Sequence, residues 1–577
     1  MLTPIDRETE RSLVERIHPA ELERHLDAFE GLHRYPGTPD ERAASEYVVE
    51  TLEGYGVDAT LHEHEAYVSV PESAAVTVTA PTRRRIEDAI TVSFGASTPP
   101  AGLSAELARL PDSADAAPDT EGRVLLVDGR PNPVLVRRAE RAGAVALVCV
   151  SPNEHLYEGI VSPVWGTPST DTASDLPDLP VAEVTREDGA WLRDRLEAGP
   201  VEVTVETAVT TELRTLPCPV GRIEGSASER YFLVGNHVDS WHEGITDNAT
   251  AMAVTLELAR IFADRDPRRG LVFGFWAGHS TGRYAGSAWY ADEHWLDLRE
   301  NGVAYLHLDL NGLRGADGLW YQHMAELGEE HLDAMSSATS LSVREPEESY
   351  LGSTGRPARN SDQSFWGAGL SSLLSGARLA PGTEEGGPVG GGWWWHTPED
   401  TRDKVDLDVM VEETKLYLAL AARICESPVL PHDFSATAED IDAVLSARES
   451  DVGDAYSFDD ARERLEAFAD AVESFDEFVD EQGGTDADLD AAIEDVQVRL
   501  GNVLTPALYT GREEYDQESA YPVYDRLPYL RVAESYPDLT GRDRRFAETD
   551  LRRGENRLAH RLSVATRTVE GFLGRHA

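Results

Sequence analysis

The sequence predicts an α/β protein with a largely parallel sheet, interrupted by a β-rich insertion and followed by a helical region. Apolar runs typical of buried strands alternate with helical segments between residues 220 and 427. A stretch of alternating apolar residues with Pro and Gly turns precedes them, and amphipathic helical spacing follows Pro428. The 577 residues are too many for one hydrophobic core, so several domains are expected.

The α/β domain is predicted to be split by the insertion. A helix that starts at Pro39 and ends at Gly54 and Gly56 is followed by a strand at residues 58–62. The β-rich region covers residues 66–214 and contains the apolar strands GRVLLVDG and AGAVALVCV. The strand and helix alternation then resumes, so residues 1–65 and 215–430 are predicted to form one domain.

The resumed part of the α/β domain contains four apolar runs that are strand candidates. They lie at residues 231–234, 271–276, 303–308 and 370–374. Residues 431–577 instead show apolar side chains at helical spacing and are predicted to form a helical domain.

The composition excludes several kinds of partner. Asp and Glu number 105 against 52 Lys and Arg, which gives a formal net charge of −53. Nucleic acid and anionic membranes would repel such a surface, so neither is expected as a partner. Because the charge is spread along the chain, it suits a salt-rich cytosol and predicts a halophilic, haloarchaeal origin. The N-terminal segment lacks a signal-peptide core and no run is long enough to span a bilayer, so a cytoplasmic protein is expected.

Residues that can bind a metal collect after the predicted strands. His237, Asp239 and Asp247 follow the run at 231–234, where the carboxyl end of a strand in an α/β sheet binds ligands. Zinc takes imidazole nitrogen and carboxylate oxygen. The further candidates are His279 in FWAGHSTG, Asp309 in LHLDLNG and His396 in WWWHTPEDT. Any one of them alone is more often a structural residue, but the ordered set predicts a metal site.

These motifs resemble those of the co-catalytic zinc aminopeptidase and carboxypeptidase family. HVDSW, Asp247-Asn248, LHLD, SDQSFW and HTPEDT are similar to the glutamate carboxypeptidase and transferrin receptor-like branch. The resemblance implies a zinc-peptidase fold of the phosphorylase/hydrolase-like type, with a protease-associated (PA) apical domain at residues 66–214. It also implies that residues 431–577 form a helical domain through which a homodimer assembles.

The resemblance also implies roles for the ligand candidates. His237 and Asp309 would hold one zinc ion, and His396 would hold the other. Asp247 would bridge the two ions, and Asp239 would orient His237.

A second group of residues is placed at the substrate pocket. The resemblance places Asn360, Ser361, Asp362 and Arg378 where the family lines its pocket. Arg378 would pair with a substrate carboxylate, although a structural arginine is an equal alternative. Trp395 and the two tryptophans before it form either an aromatic wall over the site or packing under the helical domain.

The chain departs from the family pattern at one position. The family has a Glu-Glu pair, one glutamate acting as general base and one as zinc ligand, three and four positions after a tryptophan. Here Trp276 is followed at those positions by His279 and Ser280. His279 either binds the second metal beside His396, or is the base, or the second site is empty in a mononuclear or inactive chain. The first alternative is favoured, with Glu243 as the base.

The predicted function is a metal-dependent exopeptidase, an aminopeptidase, that hydrolyses peptide bonds with a zinc-activated water. One or two zinc ions are expected as cofactor, and a peptide or small amide as substrate. Two alternatives stay open. One is a metal-dependent amidohydrolase acting on a non-peptide amide, and the other is an inactive receptor-like dimeric binding or scaffold protein.

Overall fold

A computed structural model describes residues 7–111, 120–344, 362–523 and 525–576. Its strands are β1 (Asp58–Ala80), β2 (Arg84–Ile86), β3 (Ala89–Ile90), β4 (Leu103–Arg109), β5 (Val124–Asp128), β6 (Ala146–Val150), β7 (Val181–Val184), β8 (Glu202–Ile223), β9 (Tyr231–His237), β10 (Gly270–Trp276), β11 (Gly302–His307), β12 (Gly318–His323) and β13 (Ser371–Arg378). Its helices are α1 (Arg7–Val14), α2 (Pro19–Phe29), α3 (Pro39–Tyr55), α4 (Pro133–Arg141), α5 (Arg186–Ala198), α6 (Thr250–Ala263), α7 (Ala285–Glu293), α8 (Trp295–Asn301), α9 (Gly328–Ala338), α10 (Gln363–Trp366), α11 (Leu407–Glu426), α12 (Phe434–Val452), α13 (Asp459–Gln482), α14 (Ala487–Tyr509), α15 (Val532–Ser535) and α16 (Gly541–His576).

The sheet of the α/β domain has the strand order β12-β13-β11-β9-β10-β8. The four inner strands β13, β11, β9 and β10 are parallel, whereas β12 and β8 are antiparallel to their neighbours. The predicted α/β class with a largely parallel sheet is confirmed.

Both faces of the central strands are covered, because side chains alternate between the faces with a period of two. Phe232 and Val234 of β9 pack into the core that β9 shares with α2, α3, α6 and α11. Tyr231 and Leu233 point to the other face, where α7, α8 and α10 contribute to the core. This arrangement explains why β9 is a continuous apolar run and not an alternating one.

Two long strands connect the α/β domain to the inserted domain. β1 and β8 are paired from Asp58 opposite Arg222 to Ala80 opposite Glu202, with an irregularity between Pro71 and Ser73. The strand predicted at residues 58–62 therefore continues to Ala80, since it keeps its partner on leaving the α/β domain. Beyond this ladder, the inserted domain has one core on each face of its own sheet.

The C-terminal helices α12, α13, α14 and α16 share a core of their own. The buried guanidinium of Arg269, just before β10, lies 2.7 Å from the carboxylate of Glu494 in α14 and joins this region to the sheet. None of the helices in the described residues has both the length and the apolar character needed to cross a membrane.

Candidate metal centre

Three neighbouring strands place ligand-type side chains at one edge of the sheet. β9 ends at His237, β10 ends at Trp276 just before the turn with His279, and β11 ends just before Asp309. β9 pairs in parallel with both β10 and β11, so the carboxyl ends of the three strands lie side by side. Parallel pairing therefore converts three distant motifs into one cluster.

The cluster has the geometry of a metal site. Among the described residues, His237, His279 and Asp309 each bring one ligand-type atom within 4.8 Å of the others. His237 Nε2, His279 Nδ1 and Asp309 Oδ1 are buried and have no hydrogen-bond partner in the described part of the chain. Because a buried polar atom without a partner costs about 1–3 kcal/mol, three together point to an ion as the shared partner. Two imidazoles and a carboxylate are a donor set that fits zinc.

The main chain orients His237. Its Nδ1 donates a hydrogen bond to the carbonyl oxygen of Asp239 at 2.8 Å, so Nε2 is the nitrogen that faces the carboxylates. Nε2 lies 3.0 Å from Asp247 Oδ1 and 3.6 Å from Asp309 Oδ1. Burial opposes protonation, yet the Asp247 and Asp309 carboxylates raise the pKa of His237 well above its ordinary value. The same excess of negative charge would hold a metal cation.

Asp239 contacts His237 through its main-chain carbonyl, and its carboxylate makes further hydrogen bonds. Its oxygens accept hydrogen bonds from the main-chain N–H groups of His279 (3.0 Å) and Ser280 (2.8 Å). Asp239 Oδ1 is 3.8 Å from His237 Nδ1, which bonds to the carbonyl instead. Asp239 thus fixes the turn that carries His279, and burial raises the pKa of its carboxyl group.

His279 lies against the strand-end ligands. Its ring stacks on His237 with 4.0 Å between centroids and an angle of 6° between planes. Burial and the neighbouring His237 lower its pKa well below the ordinary value, so the imidazole is neutral and able to bind a metal. His279 is predicted as a ligand beside His396, whereas in the structure its ligand-type atom lies with those of His237 and Asp309.

Asp247 lies between two histidines. Its Oδ1 is 3.0 Å from His237 Nε2, and its Oδ2 is 3.0 Å from His396 Nε2. Burial disfavours the charged carboxylate, but His237 and His396 lower the pKa of Asp247 below its ordinary value. His396 Nδ1 donates a hydrogen bond to the carbonyl of Glu158 at 2.7 Å, which directs Nε2 toward Asp247.

Trp395 lies beside the metal-site residues, whereas Glu243 and Arg378 make hydrogen bonds to the main chain outside the ligand cluster. Trp395 stacks on His396 with 3.5 Å between centroids. The Glu243 carboxylate accepts a hydrogen bond from Gly31 N at 3.0 Å, on a half-buried flank.

Both terminal nitrogens of Arg378 are engaged by the main chain, at 2.9 Å from the carbonyl of Asp309 and 3.0 Å from that of Leu310. Arg378 therefore supports the segment that carries Asp309. Asp362 is buried at the start of α10, and Asn360 and Ser361 lie outside the described residues.

Several supporting residues were not predicted as such. Asp400 accepts hydrogen bonds from Thr246 N, Thr246 Oγ1 and Asp247 N at 2.9, 2.7 and 3.0 Å, and so holds the turn with Asp247. His307 Nε2 lies 3.6 Å from Asp309 Oδ2, and its Nδ1 is 3.0 Å from the hydroxyl of Tyr305. Asp400 and His307 lie within the HTPEDT and LHLD motifs, so the sequence contained a signal that could have identified them as supporting residues. Glu158, from the inserted domain, lies in no such motif.

Known proteins resemble this chain in sequence and in fold. Residues 220–421 match the model of Peptidase family M28. The chain is 27% identical over 423 residues to a protein of Mycobacterium tuberculosis named probable lipoprotein aminopeptidase LpqL, covering 67% of this chain and 80% of that protein. It is 34% identical over 117 residues to the mouse aminopeptidase NAALADL1, a match that covers 19% of this chain and 16% of that protein.

The structure also resembles a solved zinc aminopeptidase from Bacillus subtilis, with a TM-score of 0.53 and 21% identity. That likeness covers 71% of this chain and 94% of the solved one, and it concerns the fold. Residues 220–421 therefore carry the sequence pattern of peptidase family M28. The predicted resemblance to zinc aminopeptidases and the prediction of a metallopeptidase are confirmed.

Proposed function

We propose that the chain is a zinc-dependent aminopeptidase whose metal is held by His237, His279 and Asp309, a set of three ligands that suits a catalytic ion. The carrying observation is the buried trio of ligand-type atoms that lack hydrogen-bond partners among the described residues. The two relatives named as aminopeptidases support the activity, and the Bacillus subtilis zinc aminopeptidase of the same fold supports the metal.

The residues around the trio support this chemistry by fixing geometry. A bound zinc ion would supply Lewis-acid activation of a water molecule and of the substrate carbonyl. Asp239 holds the turn of His279 by two main-chain hydrogen bonds, and Arg378 holds the carbonyl of Asp309. Such outer supports orient ligands and strengthen metal binding.

We propose that a single ion is tightly bound. His279 occupies the family's general-base position but lies with the ligands of the first ion. Ser280 stands where the family has a carboxylate ligand for the second ion, and a serine hydroxyl is not among the usual zinc ligands. This leaves only Asp247 and His396 for a second ion, which is too few for a closed site.

His396 is then free for proton transfer. Its Nδ1 is held by the Glu158 carbonyl, so Nε2 is the nitrogen that exchanges a proton, 3.0 Å from Asp247 Oδ2. We assign to it the proton transfer that a glutamate performs in the family pattern, because imidazole accepts a proton near neutral pH.

Metal analysis and peptidase assays test this proposal together. We expect one zinc per chain by mass spectrometry of the metal, hydrolysis of aminoacyl arylamides, loss of both after chelation and recovery with zinc. His237→Ala should abolish both, whereas Ser280→Ala should retain both because its hydroxyl is outside the ligand set. Reconstituted wild type without zinc would contradict the proposal. Zinc with turnover of non-peptide amides but not of aminoacyl arylamides would favour the amidohydrolase alternative.

We also propose a homodimer formed through residues 431–577, as the family resemblance implies. The exposed aromatic ring of Phe546, 59% accessible on the long helix α16, offers apolar area for such a contact. Light scattering after size-exclusion chromatography should give twice the chain mass of 63.2 kDa. A monomeric mass at micromolar concentration would contradict it.

A further inference from the structure

Segment 158–167 of the inserted domain passes between the loops that carry His279 and His396. Its side chains were not part of any predicted site. At the His396 loop, Glu158 N donates a hydrogen bond to His396 O (3.0 Å). At the His279 loop, the side chain of Arg283 donates from Nε to Ser162 O (3.0 Å) and from Nη2 to Ile160 O (3.0 Å), and Gly166 N donates to Arg283 O (2.7 Å). One short segment thus contacts His396 directly and the loop of His279 through Arg283.

On the His279 side, the contact continues through aromatic rings. Trp165 is 3% exposed and stacks on Tyr284 with 4.0 Å between centroids. Tyr284 in turn meets the His279 ring edge-on, at 4.5 Å and 89°. Trp165 Nε1 donates a hydrogen bond to Ser364 Oγ at 2.8 Å, which fixes the tilt of the indole. Aromatic pairs in these geometries attract each other, so Trp165, acting through Tyr284, helps to hold the ring of His279 in place.

On the His396 side, the guanidinium of Arg130 makes the supporting contact that Trp165 makes on the His279 side. Trp395 covers one face of His396, and the guanidinium of Arg130 lies 4.7 Å from the centroid of Trp395. Arg130 also lies 5.1 Å from the ring of Tyr157 and donates to the Glu158 carbonyl at 3.3 Å. The inserted domain thereby contacts His396 indirectly, through the cation–π contact of Arg130 with Trp395.

The backbone at these contacts needs such support. Arg283, Tyr284 and His396 have φ angles of 49°, 68° and 59°, in the left-handed region that non-glycine residues rarely adopt. Residues in this region keep their conformation only when their surroundings impose it. Segment 158–167 contacts the chain at these same residues.

We infer that segment 158–167 is a positioning element for the metal centre, and that Trp165 and Arg130 are positioning residues for His279 and His396. The metal affinity of the α/β domain then depends on side chains of the inserted domain. This inference rests on the proposed function, since it requires that His279 holds zinc and that His396 transfers the proton.

Tryptophan variants of the full-length protein test it. Trp165→Leu removes the ring behind Tyr284, and Trp165→Phe keeps a smaller ring. Trp191→Leu is the matched control, because Trp191 is a half-buried tryptophan of the same domain that packs on Arg84 at 4.4 Å. Zinc dissociation constants from chelator competition and the absorption spectrum of the Co²⁺-loaded protein are the readouts. Circular dichroism establishes which variants are folded.

We expect Trp165→Leu to weaken zinc binding about tenfold, as loss of an outer support does, and to change the Co²⁺ spectrum. Trp165→Phe should lie between Trp165→Leu and wild type, and Trp191→Leu should match wild type. If Trp165→Leu does not fold, Trp165→Phe decides by the same measurements. Equal affinity and spectrum in Trp165 variants and wild type would overturn the inference alone. Wild type that binds no zinc would overturn the proposed function and the inference with it.

The arginine contact is tested in parallel. Arg130→Met removes the cation from Trp395, and Arg84→Met removes the comparable cation–π contact at Trp191. We expect Arg130→Met to lower the kcat for aminoacyl arylamides while zinc affinity stays at the wild-type level, because His396 lies outside the ligand trio, and Arg84→Met to leave both unchanged. Equal kcat in both arginine variants would overturn the assignment of Arg130 as a positioning residue.

Discussion

The two halves of the metal centre are built differently. His237 and Asp309 stand at or just beyond the ends of adjacent parallel strands, so their positions follow from the sheet itself. His279 and His396 belong to loops, and both loops depend on contacts with the inserted domain. The strand half keeps the family's ligand types, while the loop half contains the histidine-serine replacement. A metal ligand on a loop can therefore be replaced by another residue type without disturbing the fold.

The largest expected effect distinguishes His279, the proposed metal ligand, from His396, the proposed proton carrier. His279→Ala should lose zinc and aminopeptidase activity, since it removes one of three clustered ligand atoms; loss of affinity should exceed about 100-fold. His396→Ala should keep one zinc per chain but lose most activity. Metal content and turnover of each purified variant check this. Loss of zinc in His396→Ala with retention in His279→Ala would reverse the assignment of the two loop histidines.

The next prediction rebuilds the loop half. Ser280→Glu places a carboxylate where the family has its second ligand, so zinc content should rise from one to two per chain. Ser280→Gln, which is similar in size but uncharged, should stay at one. A single zinc in both variants would show that position 280 does not limit the second ion.

A smaller effect concerns the strand half. Arg378→Met leaves the carbonyls of Asp309 and Leu310 without their guanidinium donors. We expect destabilisation by about 1–3 kcal/mol per unsatisfied carbonyl, together with weaker zinc binding. Arg314→Met is the control, because exposed Arg314 donates to the carbonyls of Asp403 and Val405 in the same way. Chemical denaturation and chelator competition compare them; equal zinc affinity in both would argue against a supporting role for Arg378.

The smallest expected effect is a pH dependence on the loop half. Burial, reinforced by Glu183, raises the pKa of Glu158 to about 8. The folded protein therefore keeps a proton that the unfolded chain releases at its ordinary lower pKa. This contribution to stability is fully present in acid and is lost as the pH rises through about 8. Glu158→Gln should flatten the fall in melting temperature between about pH 6 and 9, and the exposed Glu154→Gln should not.

The sequence predicted the strand half better than the loop half, for a physical reason. His237 and Asp309 follow apolar runs whose parallel pairing is a general rule, so their proximity could be inferred. The neighbours of His279 depend on how its loop folds back over Asp239, and no local pattern encodes that. Asp400 was visible within HTPEDT, but its hydrogen bonds to Thr246 and Asp247 were not.

Residues that act across domains were the least predictable. Glu158 meets His396 from 238 positions away in the chain. Its sequence surroundings carry no ligand motif, so only the relative placement of the domains reveals the contact. Glu243 shows the converse, since it stands in the right motif but turns toward Gly31.

The long ladder between β1 and β8 bears on how a substrate enters. Flexible linkers would let the inserted domain rotate away from His396, whereas two hydrogen-bonded strands constrain such rotation. We therefore expect the inserted domain to stay beside His396 during turnover and to limit access to the metal centre. We expect chain ends and short peptides to be admitted and internal segments of folded proteins to be turned away, which cleavage of a short peptide beside the same sequence within a folded domain would reveal.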